Sequence, residues 1–475
     1  MSLRTTAVLA LVAGLLGAYV YFVDARSAKE SAETAVPLEI EADDVRALEL
    51  SLEKGAVTAR LERDAEDPDL WRLSAPIRYR ADSGTVSGIL STLAGLEAEL
   101  VTDEPPEDLG PFGLVEGALT VRIFVGEEAP RVLRLGNETP VGSARYLQVE
   151  GDARLFTVAE WRASSFETDL FRLRDKRVTE RSAEGVTGFQ VVAGGALVVK
   201  ARIGTAPPGG DEDAPWEVVE PVVDAGDGER IGRLIEDLSL LRARAFIDDP
   251  GEAGEYGLEP AELTIELARG EVIERFELGR KSGRTYVRTS QRPVVFEVPE
   301  RVLTDVPRDL FAYRDKQVLS FDEDAAARVE LEFPRDEETY ALVKREGSWQ
   351  VEEIDGELDS FRVDDLLYAL HELEAIALEA QSADLGEIGL ASPRVRVRVL
   401  DGAGAMLGQL ELGNPTVERG TAARSTRRTD RLWRVDNAVG QDVPLSPEAF
   451  RNNFFEEAEP PDPEPAEAEP AEAPL

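Results

Sequence analysis

Hydrophobic and polar residues follow one plan three times along this chain. Alternation with period two comes first. It is clearest in Val329-Glu330-Leu331-Glu332-Phe333 and recurs over Leu48–Leu52, Val57–Arg63 and Trp71–Leu73. Period two places one face of a strand inward and the other in water, which predicts antiparallel sheet. An amphipathic stretch then follows in each copy. Its apolar residues are Val86, Ile89, Leu90, Leu93 and Leu96 in the first copy, and Ile231, Leu234, Ile235, Leu238 and Leu241 in the second. In the third they are Val363, Leu366, Leu367, Leu370 and Leu373. The spacing i, i+3, i+4, i+7, i+10 predicts a helix with one buried stripe. Asp82, Asp224 and Asp359 precede these stripes and are expected to act as N-caps. Further strands follow, such as Leu119–Val125 and Leu263–Leu267.

Landmarks keep step across the three copies. Trp71-Arg-Leu-Ser-Ala-Pro76 matches Trp216-Glu-Val-Val-Glu-Pro221, and Trp349-Gln-Val echoes both. Gly113, Gly257 and Gly389, each followed by leucine, lie 42, 41 and 40 residues after their tryptophans. Leu133-Arg-Leu135-Gly136, Phe276-Glu-Leu278-Gly279 and Leu410-Glu-Leu412-Gly413 come next. The first two copies close on Leu170-Phe171-Arg-Leu-Arg174-Asp175-Lys176 and Leu310-Phe311-Ala-Tyr-Arg314-Asp315-Lys316, and the third keeps Phe450-Arg451. In all three an arginine falls 18 residues after the aromatic of the preceding strand. The expected architecture is α+β: modules over 41–178, 179–318 and 319–455, each an antiparallel sheet with one principal amphipathic helix.

The ends differ from this plan. Residues 1–4 form a short head, and Thr5–Val23 is a 19-residue run without charge, with Tyr19, Tyr21 and Phe22 at its C-terminal end. At ~1.5 Å rise per residue such a helix approaches a bilayer core of ~30 Å, so one N-terminal transmembrane signal anchor is expected. Residues 24–40 read as a linker. Residues 456–475 hold only Pro, Glu, Asp, Ala and one Leu, the composition of a disordered acidic tail.

The formal charge of −41 argues against nucleic-acid partners. No cysteine is present, which removes thiolate metal sites and cysteine nucleophiles. The single histidine, His371, makes a histidine-based metal site or a Ser-His-Asp triad implausible. No catalytic residue, cofactor or metal is expected, and a hydrolase built on acidic residues lacks any distinctive motif.

The N-terminal span, the Trp-to-Pro segment, the Tyr256-Gly257-Leu258-Glu259-Pro260 turn, the Phe276–Gly279 strand end and the Phe311–Lys316 closure together resemble the family DUF4340, a domain of unknown function. The resemblance runs over roughly residues 45–455 and is best in the second copy. It implies a membrane-anchored protein, in some members associated with ABC-type transport systems of the gliding-motility kind, and it carries no catalytic residues.

Two sets of charged residues are candidates for recognition. Arg394, Arg396 and Arg398 alternate on one strand, and Arg419, Arg424, Arg427, Arg428, Arg431 and Arg434 follow. They could form a patch for a carboxylate-rich polymer, a phosphorylated ligand or an acidic surface. The bland alternative is a solvated face paired with nearby acids. The closures Arg174-Asp175-Lys176 and Arg314-Asp315-Lys316 are expected to be structural ion pairs, and Trp71, Trp216 and Trp349 to be core residues. The expected function is a non-enzymatic scaffold or accessory subunit at the cell membrane. Its soluble part would be extracytoplasmic, and its protein partner a component of an ABC-type system. The alternative is a module that binds an acidic polymer or envelope glycan through the third-copy arginines.

Overall fold

A computed structural model describes residues 34–52, 55–140, 142–205, 214–352, 354 and 358–455. Strands dominate it, at 42% against 19% helix, and fall into three large antiparallel sheets. The α+β expectation is therefore corrected to mostly β. Each module spends one 12-residue helix against eight or more strands, and the short strands after the helix are what periodicity under-counted. The expected membrane helix also finds no support. Thr5–Val23 lies outside the described residues, as does the tail 456–475, and among the described residues no helix is long and apolar enough to cross a membrane.

The first sheet comprises β1 (Thr34–Ala35), β2 (Val45–Leu52), β3 (Val57–Arg63), β4 (Trp71–Ala75), β5 (Tyr79–Arg80), β6 (Ala98–Thr102), β7 (Leu119–Val125), β8 (Arg131–Glu138), β9 (Ala144–Val149) and β10 (Leu155–Ala159). Their order is β1-β6-β10-β9-β8-β7-β2-β3-β4-β5. Helix α1 (Ser83–Ala94) connects β5 to β6, and α2 (Leu170–Leu173) closes the module. The middle sheet comprises β11 (Gly188–Ala193), β12 (Ala196–Ile203), β13 (Trp216–Glu220), β14 (Asp224–Ala225), β15 (Ala245–Ile247), β16 (Leu263–Arg269), β17 (Val272–Lys281), β18 (Arg284–Thr289) and β19 (Val295–Val298), with helix α3 (Gly228–Ser239). The third comprises β20 (Ala326–Phe333), β21 (Glu338–Arg345), β22 (Ser348–Val351), β23 (Ala375–Glu379), β24 (Val395–Asp401), β25 (Met406–Thr416), β26 (Gly420–Ser425) and β27 (Leu432–Val435), in the order β22-β21-β20-β24-β25-β26-β27-β23. Helix α4 (Ser360–His371) connects β22 to β23, and α5 (Pro447–Phe454) ends the module. The central eight strands of the first sheet repeat the order of the third, strand for strand.

The chain divides into two compact units, and the boundaries cut the middle module rather than separating modules. One unit takes the described residues up to 184 with 236–264 and 274–305; the other takes 185–235, 265–273 and 306–455. In the first, α1 buries Val86, Ile89, Leu90 and Leu93 in a core with Leu48, Leu50, Leu61, Leu133 and Phe156. In the second, α4 buries Val363, Leu366, Leu367 and Leu370 with Val329, Leu331, Val397, Leu410 and Trp433. Full burial of such side chains contributes roughly 1.5–3 kcal/mol each. Trp71 and Trp349 are buried in these cores, while Trp216 is half-buried. His371 ends α4 with its ring edge-on to Phe321, centroids 5.8 Å apart.

The two glycine landmarks belong to one device. Gly113, Gly257 and Gly389 take positive φ (71°, 70° and 78°). That turn lays a carbonyl against the strand-end glycine. A Cβ on Gly136, Gly279 or Gly413 would overlap the carbonyl oxygen of Phe112, Gly257 or Ile388 respectively. In the third module the Asn414 amide donates to the Ile388 carbonyl at 2.8 Å. The close approach leaves no room for a side chain on either partner, which is why both positions are glycine in every copy.

Candidate functional site

The helix caps come first, because they hold the closures. Asp82 and Asp359 accept from the backbone amides of Thr85 and Phe361, as N-caps do. In the second copy the capping residue is Asp227, which accepts from the Arg230 amide at 2.8 Å. Asp224, expected to cap this helix, does not. Counting back four residues from the first buried helical residue gives Asp82, Asp227 and Asp359, so that signal was present in the sequence. Each capping aspartate of the first two copies also receives the closure lysine: Lys176 Nζ lies 3.3 Å from Asp82, and Lys316 pairs with Asp227.

The closure strands return beside the segment before the helix. Isolated bridges join Ala81 to Arg174, Gly226 to Arg314 and Leu358 to Phe455. Sequence spacing set Arg451 beside Arg174 and Arg314; the fold puts Phe455 there instead. The cause is α5, eight residues long where α2 has four. Arg451 lies one turn earlier and pairs with Glu338.

In the first unit, Arg174 is almost fully buried. Its guanidinium lies 4.4 Å from the Tyr79 ring centroid and 4.0 Å from that of Phe246, and Nη1 donates to Asp248 at 2.9 Å. Arg292 approaches the same tyrosine at 4.6 Å, donates to its hydroxyl and pairs with Glu180. Burial pushes the Tyr79 phenol up to about 12, against the pull of the Arg292 and Arg174 charges. Asp175 receives Arg177 at 2.7 Å and Arg80 at 3.4 Å. Residues of the first and second modules thus meet around one buried arginine.

In the second unit the same position of the plan carries a carboxylate. Asp224, like Tyr79, stands three residues before the capping aspartate, and its side chain is fully buried. It pairs with Arg314 of its own module and with Arg428 (3.1 Å) and Arg431 of the third. Burial raises its pKa, but the hydrogen bonds and charges of Arg431 and Arg314 outweigh that and hold it below the ordinary carboxylate range. Asp430 adds a second acid, 3.4 Å from Arg428 and 3.6 Å from Arg431. Arg427 reaches Asp315 and the Gln317 carbonyl, both at 2.6 Å. Asp315 of the closure therefore also faces the third module.

The remaining third-copy arginines are consumed within their own sheet. Arg396 and Arg398 share the face opposite Val395, Val397 and Val399. Arg396 lies 2.7 Å from both Glu332 and Glu411, and Arg398 lies 3.1 Å from Glu332 and 3.5 Å from Glu330. Arg424 shares Glu411; Arg419 and the buried Arg434 share Glu379. Of the nine candidates, Arg394 is the one without an ion pair among the described residues. Charge that was expected to concentrate is instead distributed over neighbouring acids. Replacing Arg424, Arg427 and Arg428 together by serine should therefore lower the thermal midpoint of the chain. An unchanged melting curve would show that these pairs contribute nothing.

Family models place these residues in a wider group. The model of DUF4340, a domain of unknown function, matches three overlapping regions, 71–250, 216–357 and 349–464. The chain belongs to the DUF4340 family. Each match starts on one of the three repeat tryptophans, and the first contains Tyr79, Arg174, Phe246 and Asp248 together. The DUF4340 match thus runs past the module end and takes in the contacts of Arg174 with Tyr79, Phe246 and Asp248. No curated protein and no solved structure matches the chain. Among the described residues of this DUF4340 chain, no group of three or more His, Cys, Asp or Glu could hold a metal ion. Tyr79, Asp224, Asp227 and Asp248 were not singled out by sequence reasoning as site residues. Their importance follows from contacts made 74 to 213 residues away.

Proposed function

We propose that this DUF4340 protein is a non-enzymatic scaffold or accessory subunit whose consecutive modules are joined by buried charge and which binds a protein partner. The observation that carries this reading is the pair of junctions around Arg174 and Asp224. Both lie at corresponding places in the repeat, and both spend buried charge on joining consecutive modules. Buried arginines paired with carboxylates hold their partners in place, because removing either member leaves a buried charge unpaired. The partner class we propose is a component of an ABC-type transport system, on the strength of the family resemblance alone. The rival, an acidic polymer bound through the third-module arginines, is weakened because eight of its nine arginines already hold acids.

Chemical cross-linking of the full chain in its native cells, followed by mass spectrometry, tests the proposal. Repeated links from the module surfaces to transporter subunits are the expected result. Recovery of the chain with a bound acidic polysaccharide and no protein links would overturn it in favour of the rival.

A further inference from the structure

Helix α4 differs from the other two principal helices on its outward side. Its buried stripe is Val363, Leu366, Leu367 and Leu370. Opposite that stripe run Phe361, Asp365 and Tyr368, at i, i+4 and i+7, and the C-cap residue Glu372 continues the line. All four are exposed, Phe361 at 80% and Tyr368 at 61%. Neighbours at this spacing meet along a helix surface. The two aromatic residues therefore stand about 10 Å apart along the axis, with a carboxylate between them.

The repeat supplies an internal control. The same three positions hold Gly84, Gly88 and Ser91 in α1. In α3 they hold Glu229, Arg233 and Glu236, and Arg233 pairs with Glu229 at 3.2 Å. All three helices follow the same apolar spacing, so this fold does not require aromatic rings on the outer side. A lone exposed ring is ordinary on a protein surface, but two on one stripe make a patch.

The charge between the rings is also free. Asp364 accepts from Trp349 Nε1 at 3.0 Å, whereas Asp365 makes no ion pair among the described residues. Two exposed rings beside an unpaired carboxylate suit a cation on an apolar stem. A Lys or Arg head meets the carboxylate and the ring faces, and its methylenes cover the rings. An anionic lipid surface does not fit an acidic stripe on a chain of net charge −41.

Within the scaffold reading, on which this rests, we infer that the outward face of α4 docks a basic amphipathic segment of the protein partner. Its Lys or Arg lies against Asp365, and its apolar residues lie against Phe361 and Tyr368.

The probes are two synthetic helical peptides, one of Leu and Lys, the other with Glu in place of every Lys. Calorimetric titration of the full chain compares the parent, the double variant Phe361→Ser with Tyr368→Ser, and Asp365→Lys. All three positions are exposed, so the melting curves should match that of the parent. An acidic chain attracts a basic peptide over its whole surface, so the quantity read is the difference between chains. The double variant keeps every charge and should bind the Leu/Lys peptide about tenfold more weakly. Asp365→Lys should also weaken that peptide and should bind the Leu/Glu peptide better than the parent does. Equal affinities of the parent and the double variant for the Leu/Lys peptide would overturn the site. Should the double variant melt lower, Asp365→Lys decides alone, and an unchanged peptide preference overturns the site. Sedimentation of the parent, but not the double variant, with phosphatidylglycerol vesicles would overturn it in favour of a lipid surface. Failure of this face while cross-links to a protein partner persist leaves the scaffold reading standing. Selective peptide binding without any protein cross-link keeps the face and removes that reading.

Discussion

Replacing Asp224 by alanine should destabilise the second unit by about 3–5 kcal/mol, the cost typical of removing one partner from a buried ion pair. The substitution leaves Arg314, Arg428 and Arg431 facing one another, with only Asp430, at 62% side-chain exposure, to offset them. Equilibrium denaturation of the full chain, followed through the buried Trp433 in the same unit, measures the loss. The pH dependence supplies an independent sign. Because the folded carboxyl titrates below its unfolded value of about 3.9, its contribution is fully present above that pH. It disappears as pH falls through the lower, folded value. Stability of the parent should therefore drop on acidification below about pH 4, and Asp224→Asn should show a shallower drop. Identical acid limbs for the two chains would mean that Asp224 does not couple folding to protonation.

Gly279→Ala should be of similar size, about 3 kcal/mol or more. Overpacking alone costs ~1–3 kcal/mol, and here the new methyl meets a carbonyl oxygen and the Leu258 amide nitrogen at 3.1 Å rather than yielding side chains. The matching control is Gly88→Ala in α1, where a Cβ meets nothing within 4 Å. A helix-interior glycine replaced by alanine in open space should stabilise by roughly 0.5–1 kcal/mol. Two chemically identical changes in the same unit are thus expected to move the unfolding midpoint in opposite directions. Equal effects would show that the turn carbonyl can withdraw from Gly279.

What was legible in the sequence was whatever a short window contains. The stripes Val86–Leu93 and Val363–Leu370 mark helices because their spacing is local, and the period-two runs around Val329 and Leu48 mark strands for the same reason. The paired glycines were visible as landmarks, but their reason, a carbonyl lying where a Cβ would be, needs the two segments in contact. The arginine patch shows the limit most clearly. Arg396 and Arg398 were correctly placed on one strand, yet the acids that neutralise them come from Glu332 and Glu411 on neighbouring strands. Counting charge along the chain cannot see across a sheet. Asp224 was misassigned as a cap because an aspartate near a helix start fits the cap pattern, whereas its burial beneath arginines some 90 and 200 residues away has no local mark. Helix content was over-weighted in the fold class because one long amphipathic stripe is easier to recognise than several strands of four to six residues.

The replacement of the closing arginine by Phe455 has a consequence for how such a chain can lengthen. In the first module the residue at this place, Arg174, is completed by Phe246 and Asp248 of the next; in the second, Arg314 holds its own Asp224, which the next module reaches with Arg428 and Arg431. In the third, Phe455 turns inward, 5.7 Å from Phe450, and packs on its own core. A copy appended after residue 455 would meet no arginine to grip. The third module therefore completes its closure with apolar packing of its own, and its closing residue offers no charge to a neighbouring repeat.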